Sequence, residues 1–158
     1  VTRQEVPYFE AGRDVTGELP VWAAFPFYGM PSLEGRGFKV ACHDHGPAVD
    51  VDAVDRRPGG AAEEAARAFL ARRFPRIAAA PLTETRVCQY ESSHNGDFLV
   101  DRHPGLDNVW LAGCGSGHGF KHGPALGAHV AGRVLDREPA IERFSLATKG
   151  TEPERAVH

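Results

Sequence analysis

Cys88-Gln-Tyr90, Asp97-Phe-Leu-Val-Asp101-Arg-His-Pro104-Gly105, Asn108-Val-Trp-Leu-Ala-Gly113 and Gly115-Ser-Gly-His118-Gly-Phe-Lys121 follow one another in a single run. Thr83 to Tyr90 alternates as a strand, Phe98 to Asp101 reads as a short second one and Asn108 to Ala112 as a third. Asn95-Gly96 and His103-Pro104-Gly105 supply the turns between them. Gly113 to Gly119 then carries glycine at alternate positions, and a helix is expected from about His118 to Leu135. Strand, glycine turn and helix together let backbone N–H groups and a helix N-terminus face an anionic or electron-rich ligand.

On either side of this run the patterns are plainer. Val1 to Ala11 shows no firm pattern, and Gly12 to Gly17 is dense in turn formers. Val21 to Tyr28, with Pro26 inside, reads as an edge or interrupted strand. Gly35-Arg-Gly37 separates it from Phe38 to His43, the second arm of a hairpin, which puts Lys39 on a strand. Asp50 to Gly60 is a connection. Ala61 to Phe74 is the clearest helix: Glu63 and Glu64 near its start, Arg72 and Arg73 near its end, Pro75 stopping it, and Ala62, Ala65, Ala66, Phe69, Leu70 and Phe74 as its apolar stripe. From Arg137 the pattern fades, and Thr148 to His158 reads as a polar tail. The expected fold is α+β: a mostly antiparallel sheet with flanking helices, followed by the strand, glycine turn and helix.

With 158 residues, 42% of them hydrophobic, the chain is long enough to bury a core. Its net charge of −3 offers no basic field for a phosphate backbone, so nucleic acid is not an expected partner. No run reaches the roughly 18 to 20 apolar residues of a membrane span, and the N-terminus lacks the order of a signal peptide, so a cytoplasmic setting without membrane contact is expected. Three cysteines, Cys42, Cys88 and Cys114, are too few for a disulfide framework and read as thiols. The chain opens on Val1 without methionine, as a piece of something longer would.

The glycine run fails the dinucleotide fingerprint, because Gly113-x-Gly115-x-x-His118 lacks the third glycine and no room remains for a following βαβ unit. Among eight histidines, His43 and His45 or His118 and His122 invite a metal, but no Glu follows His118 and no Cys-x-x-Cys joins them, so no metal site is expected. Cys88 by itself reads as a small buried hydrophobe. Only three lysines stand against fifteen arginines, and Lys39 in an apolar strand and Lys121 at a helix start are poorly explained by solubility.

Taken together, Tyr28-Gly-Met-Pro-Ser32, Gly37-Phe-Lys39 with His43, Cys88-x-Tyr90, Asp97-Phe-Leu-Val-Asp101-x-His-Pro104 and Ser116-Gly-His-Gly-Phe-Lys121 resemble the C-terminal half of the monomeric sarcosine oxidase family of FAD-dependent amine oxidoreductases, which includes N-methyltryptophan and pipecolate oxidases. The resemblance implies that Cys88 bonds covalently to FAD, which asks for a thiolate in a polarised setting. It implies that Lys39 assists the reaction with oxygen, and that Lys121 binds the substrate carboxylate. Tyr28 and His43 match further residues of the substrate cavity, so Lys39, His43 and Tyr28 form the expected catalytic set. Tyr90, Gly115, Ser116, Gly117, His118, Gly119, Phe120 and Lys121 complete the expected cofactor surface. The implied reaction is oxidation of the C–N bond of a secondary or N-methyl amino acid, with oxygen accepting the electrons and giving peroxide.

The departures carry expectations too. The N-terminal nucleotide-binding half is absent, so residues 1–105 would be part of the substrate domain, 106–137 a strand, turn and helix returning to the FAD-binding domain, and 138–158 an extension. The missing half is then the chief partner, beside a small amine or amino acid, and the piece alone would be inactive. Glu91-Ser-Ser-His-Asn-Gly-Asp97 replaces the family's Thr- and Pro-containing run. Two other classes stay open: an isolated fragment that self-associates through an exposed strand edge and binds no flavin, and a metal enzyme using His43, His45, His118 and His122.

Overall fold

The computed structural model describes residues 1–12 and 18–150; the turn expected across 13–17 and the tail beyond 150 lie outside the described residues. Among the described residues, seven strands and three α-helices occur in the order β1 (Thr2–Phe9), β2 (Trp22–Ala24), β3 (Phe27–Met30), β4 (Phe38–Cys42), α1 (Ala61–Arg73), α2 (Pro75–Ala78), β5 (Leu82–Tyr90), β6 (Leu99–Arg102), β7 (Trp110–Gly113) and α3 (Gly123–Val134). They fall into two compact units, Thr2–Gln89 and the chain from Tyr90 onward.

The first unit is a five-stranded sheet in the order β2-β3-β4-β1-β5, with β2–β3, β3–β4 and β1–β4 antiparallel. Register decides which side chains share a face. Phe9 pairs with Phe38 and Gly29 with Val40, and these positions take the face covered by α1, where Phe9, Phe38, Val40, Ala66, Phe69, Leu70 and Ile77 form the core. Tyr8, Met30 and Lys39 pair across the opposite face, and Tyr28 and Ala41 lie two positions further along it.

Phe69 on α1 is sandwiched between Trp22 at 5.4 Å and Phe27 at 4.6 Å, ring centroid to centroid. Such pairs add about 0.5–1.5 kcal/mol each beyond the area they bury. At Gly29 a Cβ would stand 2.1 Å from the Lys39 carbonyl oxygen and 2.4 Å from the Trp22 ring, so the indole lies flat on bare backbone. Arg67 ties α1 to the end of α2: it pairs with Glu63 at 2.8 Å, donates to the carbonyls of Ala78 and Ala80 at 3.1 and 3.0 Å, and lies 4.8 Å over the Phe9 ring.

Two expectations change and a third gains detail. Val1 to Ala11 is not patternless but contains β1, an interior strand whose alternation is hidden by Pro7 and by Gln4, a buried amide paired with Thr2 Oγ1 and the Gly46 N–H at 3.1 and 3.2 Å. The edge or interrupted strand expected over Val21 to Tyr28 is found in detail: Phe25-Pro26 interrupts it as the turn of a tight hairpin, with β2 at the sheet edge. The helix expected from His118 starts at Gly123, because the residues before it, Gly119–His122, take a 3₁₀ turn and Pro124 sits in the first turn of α3.

The second unit holds the antiparallel β6–β7 hairpin, the glycine turn, the 3₁₀ turn Gly119–His122, α3 and two further 3₁₀ turns, Glu142–Phe144 and Leu146–Thr148. Thr148 and Lys149, read from sequence as tail, are tied down: the Thr148 hydroxyl donates to Ser145 O at 2.9 Å, and Asp101 Oδ2 accepts from the Leu146 N–H at 2.8 Å. The α+β class with a mostly antiparallel sheet is the architecture found. Among the described residues no helix is long and apolar enough to cross a membrane.

Candidate functional site

The helix-free face of the five-stranded sheet gathers the ionisable residues singled out in the first unit. Lys39 reaches from β4 so that its Nζ lies 5.0 Å over the Tyr28 ring of β3. The His43 ring, just past the end of β4, meets the Tyr28 ring edge-on at 5.5 Å. Register alone brings these together, because Tyr28 and Lys39 sit on adjacent antiparallel strands with side chains on one face. Burial pushes the Lys39 ammonium below the ordinary lysine range. Cys88 follows Arg86 by two positions on β5, and Arg86 lies over the Tyr8 ring that pairs with Lys39, so alternation puts the thiol on the same face as the ammonium.

Between them stands Tyr8 of β1, opposite Lys39 in the register, with its phenol pushed up by burial and influenced by Arg86 and Cys88. Arg86 lies 5.7 Å over the Tyr8 ring and is held by Glu84 at 2.7 Å. Tyr8 escaped sequence reading because its placement comes from pairing β1 between β4 and β5, a nonlocal fact. Cys42, by contrast, points toward Asp44 Oδ2 at 3.6 Å and its thiol is pushed up by burial.

The second unit carries the other candidates. Gly117, at φ +76°, lies against the Tyr90 ring so closely that a Cβ would stand 2.5 Å from it. Tyr90 and the glycine turn are therefore one packed feature. His118 and His122 meet edge-on at 5.9 Å, and both rings contact Phe98, at 6.0 and 5.6 Å. Among the described residues no group of three His, Cys, Asp or Glu side chains is arranged to hold a metal ion. Lys121 is exposed and Phe120 fully so, both in the 3₁₀ turn ahead of α3 rather than inside a helix.

The donor set suits a large, planar, electron-accepting group. A sheet face bearing a cation, a phenol and a thiol can meet its ring. These features fit a flavin.

Comparison with known proteins agrees. Residues 5–133 match the family described as FAD dependent oxidoreductase (DAO). The chain is 33% identical over 138 residues to monomeric sarcosine oxidase of a Bacillus species (strain NS-129), spanning 82% of this chain and 35% of that protein. It is 31% identical over 128 residues to N-methyl-L-tryptophan oxidase of Salmonella arizonae, spanning 80% and 33%. The fold superposes on fructosamine oxidase (Amadoriase II) of Aspergillus fumigatus with a TM-score of 0.77 at 22% identity, covering 91% of this chain and 37% of that one. The chain spans about a third of the length of the curated relatives it matches. A match over most of its residues, on a fold shared with these oxidases, makes this chain a member of the FAD dependent oxidoreductase family.

Proposed function

We propose that the chain is the substrate-side part of an FAD-dependent oxidase that oxidises the C–N bond of a secondary or N-methyl amino acid, with oxygen as acceptor and peroxide as product. The observation that carries this is the shared sheet face of Lys39, Tyr28, His43 and Cys88. Flavin, when bound, supplies the two-electron acceptor that no side chain can. Cys88 would hold it covalently. Lys39, desolvated and therefore a strong local field, would assist electron transfer to oxygen. Tyr28 and His43 would shape the cavity in which the amine is oriented, and Lys121 would bind its carboxylate. Tyr90 and Gly115 to Phe120 would line the cofactor.

In this reading residues 1–105 belong to the substrate domain, 106–137 return to the FAD-binding domain and 138–158 extend beyond it. Activity then requires the remaining two-thirds of the protein, and the 158-residue piece is inactive by itself. The three free cysteines support a cytoplasmic setting.

Acid precipitation of the full-length protein tests the assignment. Yellow colour should stay with the pellet. Complete release of flavin into the supernatant would remove the role of Cys88 while leaving the oxidase; absence of flavin altogether would remove the oxidase as well.

A further inference from the structure

The backbone from Cys114 to Gly117 is strained: φ is +60° at Cys114, +46° at Ser116 and +76° at Gly117. Only the last is a glycine. Side-chain-bearing residues at positive φ persist where their surroundings over-determine them.

The surroundings here are one loop, Glu91 to Asp97. The Glu91 carboxylate accepts from the Cys114 N–H at 2.9 Å, and the Glu91 carbonyl accepts from the Ser116 N–H at 2.9 Å. The Ser93 N–H donates to Ser116 Oγ at 3.4 Å, both serines being buried. Two residues with unfavourable φ are thus each held by a bond from Glu91. The loop is itself braced. Ser93 Oγ donates to the Asp97 carbonyl at 2.7 Å, and Asn95 Oδ1 accepts from the Asp97 N–H at 3.1 Å. The Lys149 ammonium then closes the arrangement, donating to Asn95 Oδ1 at 2.9 Å, to the Asp97 carbonyl at 3.3 Å and to the Arg143 carbonyl at 2.8 Å. One cation commits all three of its N–H donors to the loop and to the segment after α3.

We propose that Glu91, Ser93 and Lys149 are positioning residues: they latch the Cys114–Gly117 turn in the conformation that presents Gly115 to Phe120 to the flavin. This rests on the flavin assignment above. It assigns a purpose to the run Glu91 to Asp97, where the chain departs from the family pattern it otherwise resembles, and to Lys149, which lies beyond every motif. A latch of this kind acts on the cofactor through the turn, not by touching substrate.

The test uses the full-length, flavin-bearing protein with Glu91→Ala and Lys149→Met, each beside its conservative variant, Glu91→Gln or Lys149→Arg. Amide hydrogen exchange at Cys114 to His118 should quicken by about tenfold or more in the disruptive variants, since each loses a charge-assisted bond. The flavin absorption bands and midpoint potential should move with it, and the conservative variants should return both toward wild type. A folded Glu91→Ala or Lys149→Met protein with unchanged absorption and potential overturns the proposal, because a purely structural brace would lower the melting temperature alone. If the full-length protein holds no flavin, the flavin assignment fails instead, and unchanged exchange at Cys114 and Ser116 would still overturn the latch independently.

Discussion

Lys39 is a costly residue where it stands. Its pKa is depressed chiefly by burial, so the charged form is less favourable in the folded chain than in the unfolded one. The penalty is fully present below the folded pKa and disappears as pH rises through that value toward 10.5, the ordinary lysine value. Lys39→Met should therefore be more stable relative to wild type at pH ~7 than at pH ~10, measured by urea unfolding at both. A difference that stays constant with pH would show that the ammonium is not desolvated. In the full-length protein the same substitution should slow reoxidation by oxygen more than reduction by amine, measured by stopped flow; equal slowing would remove the oxygen role. Gly117 offers the complementary case of a residue chosen for what it lacks. With φ at +76° and the Tyr90 ring in the place of a Cβ, Gly117→Ala should cost about 1–3 kcal/mol of stability, read from denaturant midpoints, and should lower flavin content.

Among the elements, α1 was legible because every local signal agreed: acids first, arginines last, aromatic and aliphatic residues at helical spacing, Pro75 after the end. Its individual contacts were not. Ala65, counted in the apolar stripe, is exposed, and burial concentrates on Ala66, Phe69 and Leu70, which face the sheet. Phe69→Ala should destabilise the first unit by about 3–5 kcal/mol, as truncation of a buried aromatic does, and a loss below about 1 kcal/mol in denaturant titration would mean that the Trp22 and Phe27 rings close over the gap. β1 was illegible for the opposite reason. Its burial comes from lying between β4 and β5, so Pro7 and Gln4 are tolerated by tertiary contacts that no local pattern announces. The start of α3 was misplaced because His118 to His122 carries helix-compatible residues, yet the chain satisfies them with a 3₁₀ turn before Gly123-Pro124. The motif residues of the candidate site could be named from sequence, whereas Tyr8 and the Glu91–Lys149 bracing depend on pairing over long sequence separations.

For the whole molecule, the two longer helices differ in how their faces are satisfied. α1 buries three residues, and α3, although its sequence is mostly apolar, buries none within this chain. Most helical stability comes from tertiary packing of a face rather than from propensity, and α3 contains Gly127 and Gly132, which weaken it further. If the chain is part of a longer oxidase, as proposed above, the order of this helix should depend on the rest of that protein. Hydrogen exchange separates the two cases. In the 158-residue chain, amides of Gly123–Val134 should exchange at least about a hundredfold faster than the core amides of Ala61–Arg73; in the full-length protein the gap should close. If α3 is as protected in the short chain as in the long one, and the short chain is a monomer by sedimentation, the helix is stable without a covering half. If it is protected only as the short chain associates, the exposed apolar face has recruited a second copy, and the non-catalytic, self-associating fragment becomes the better description of these residues in isolation.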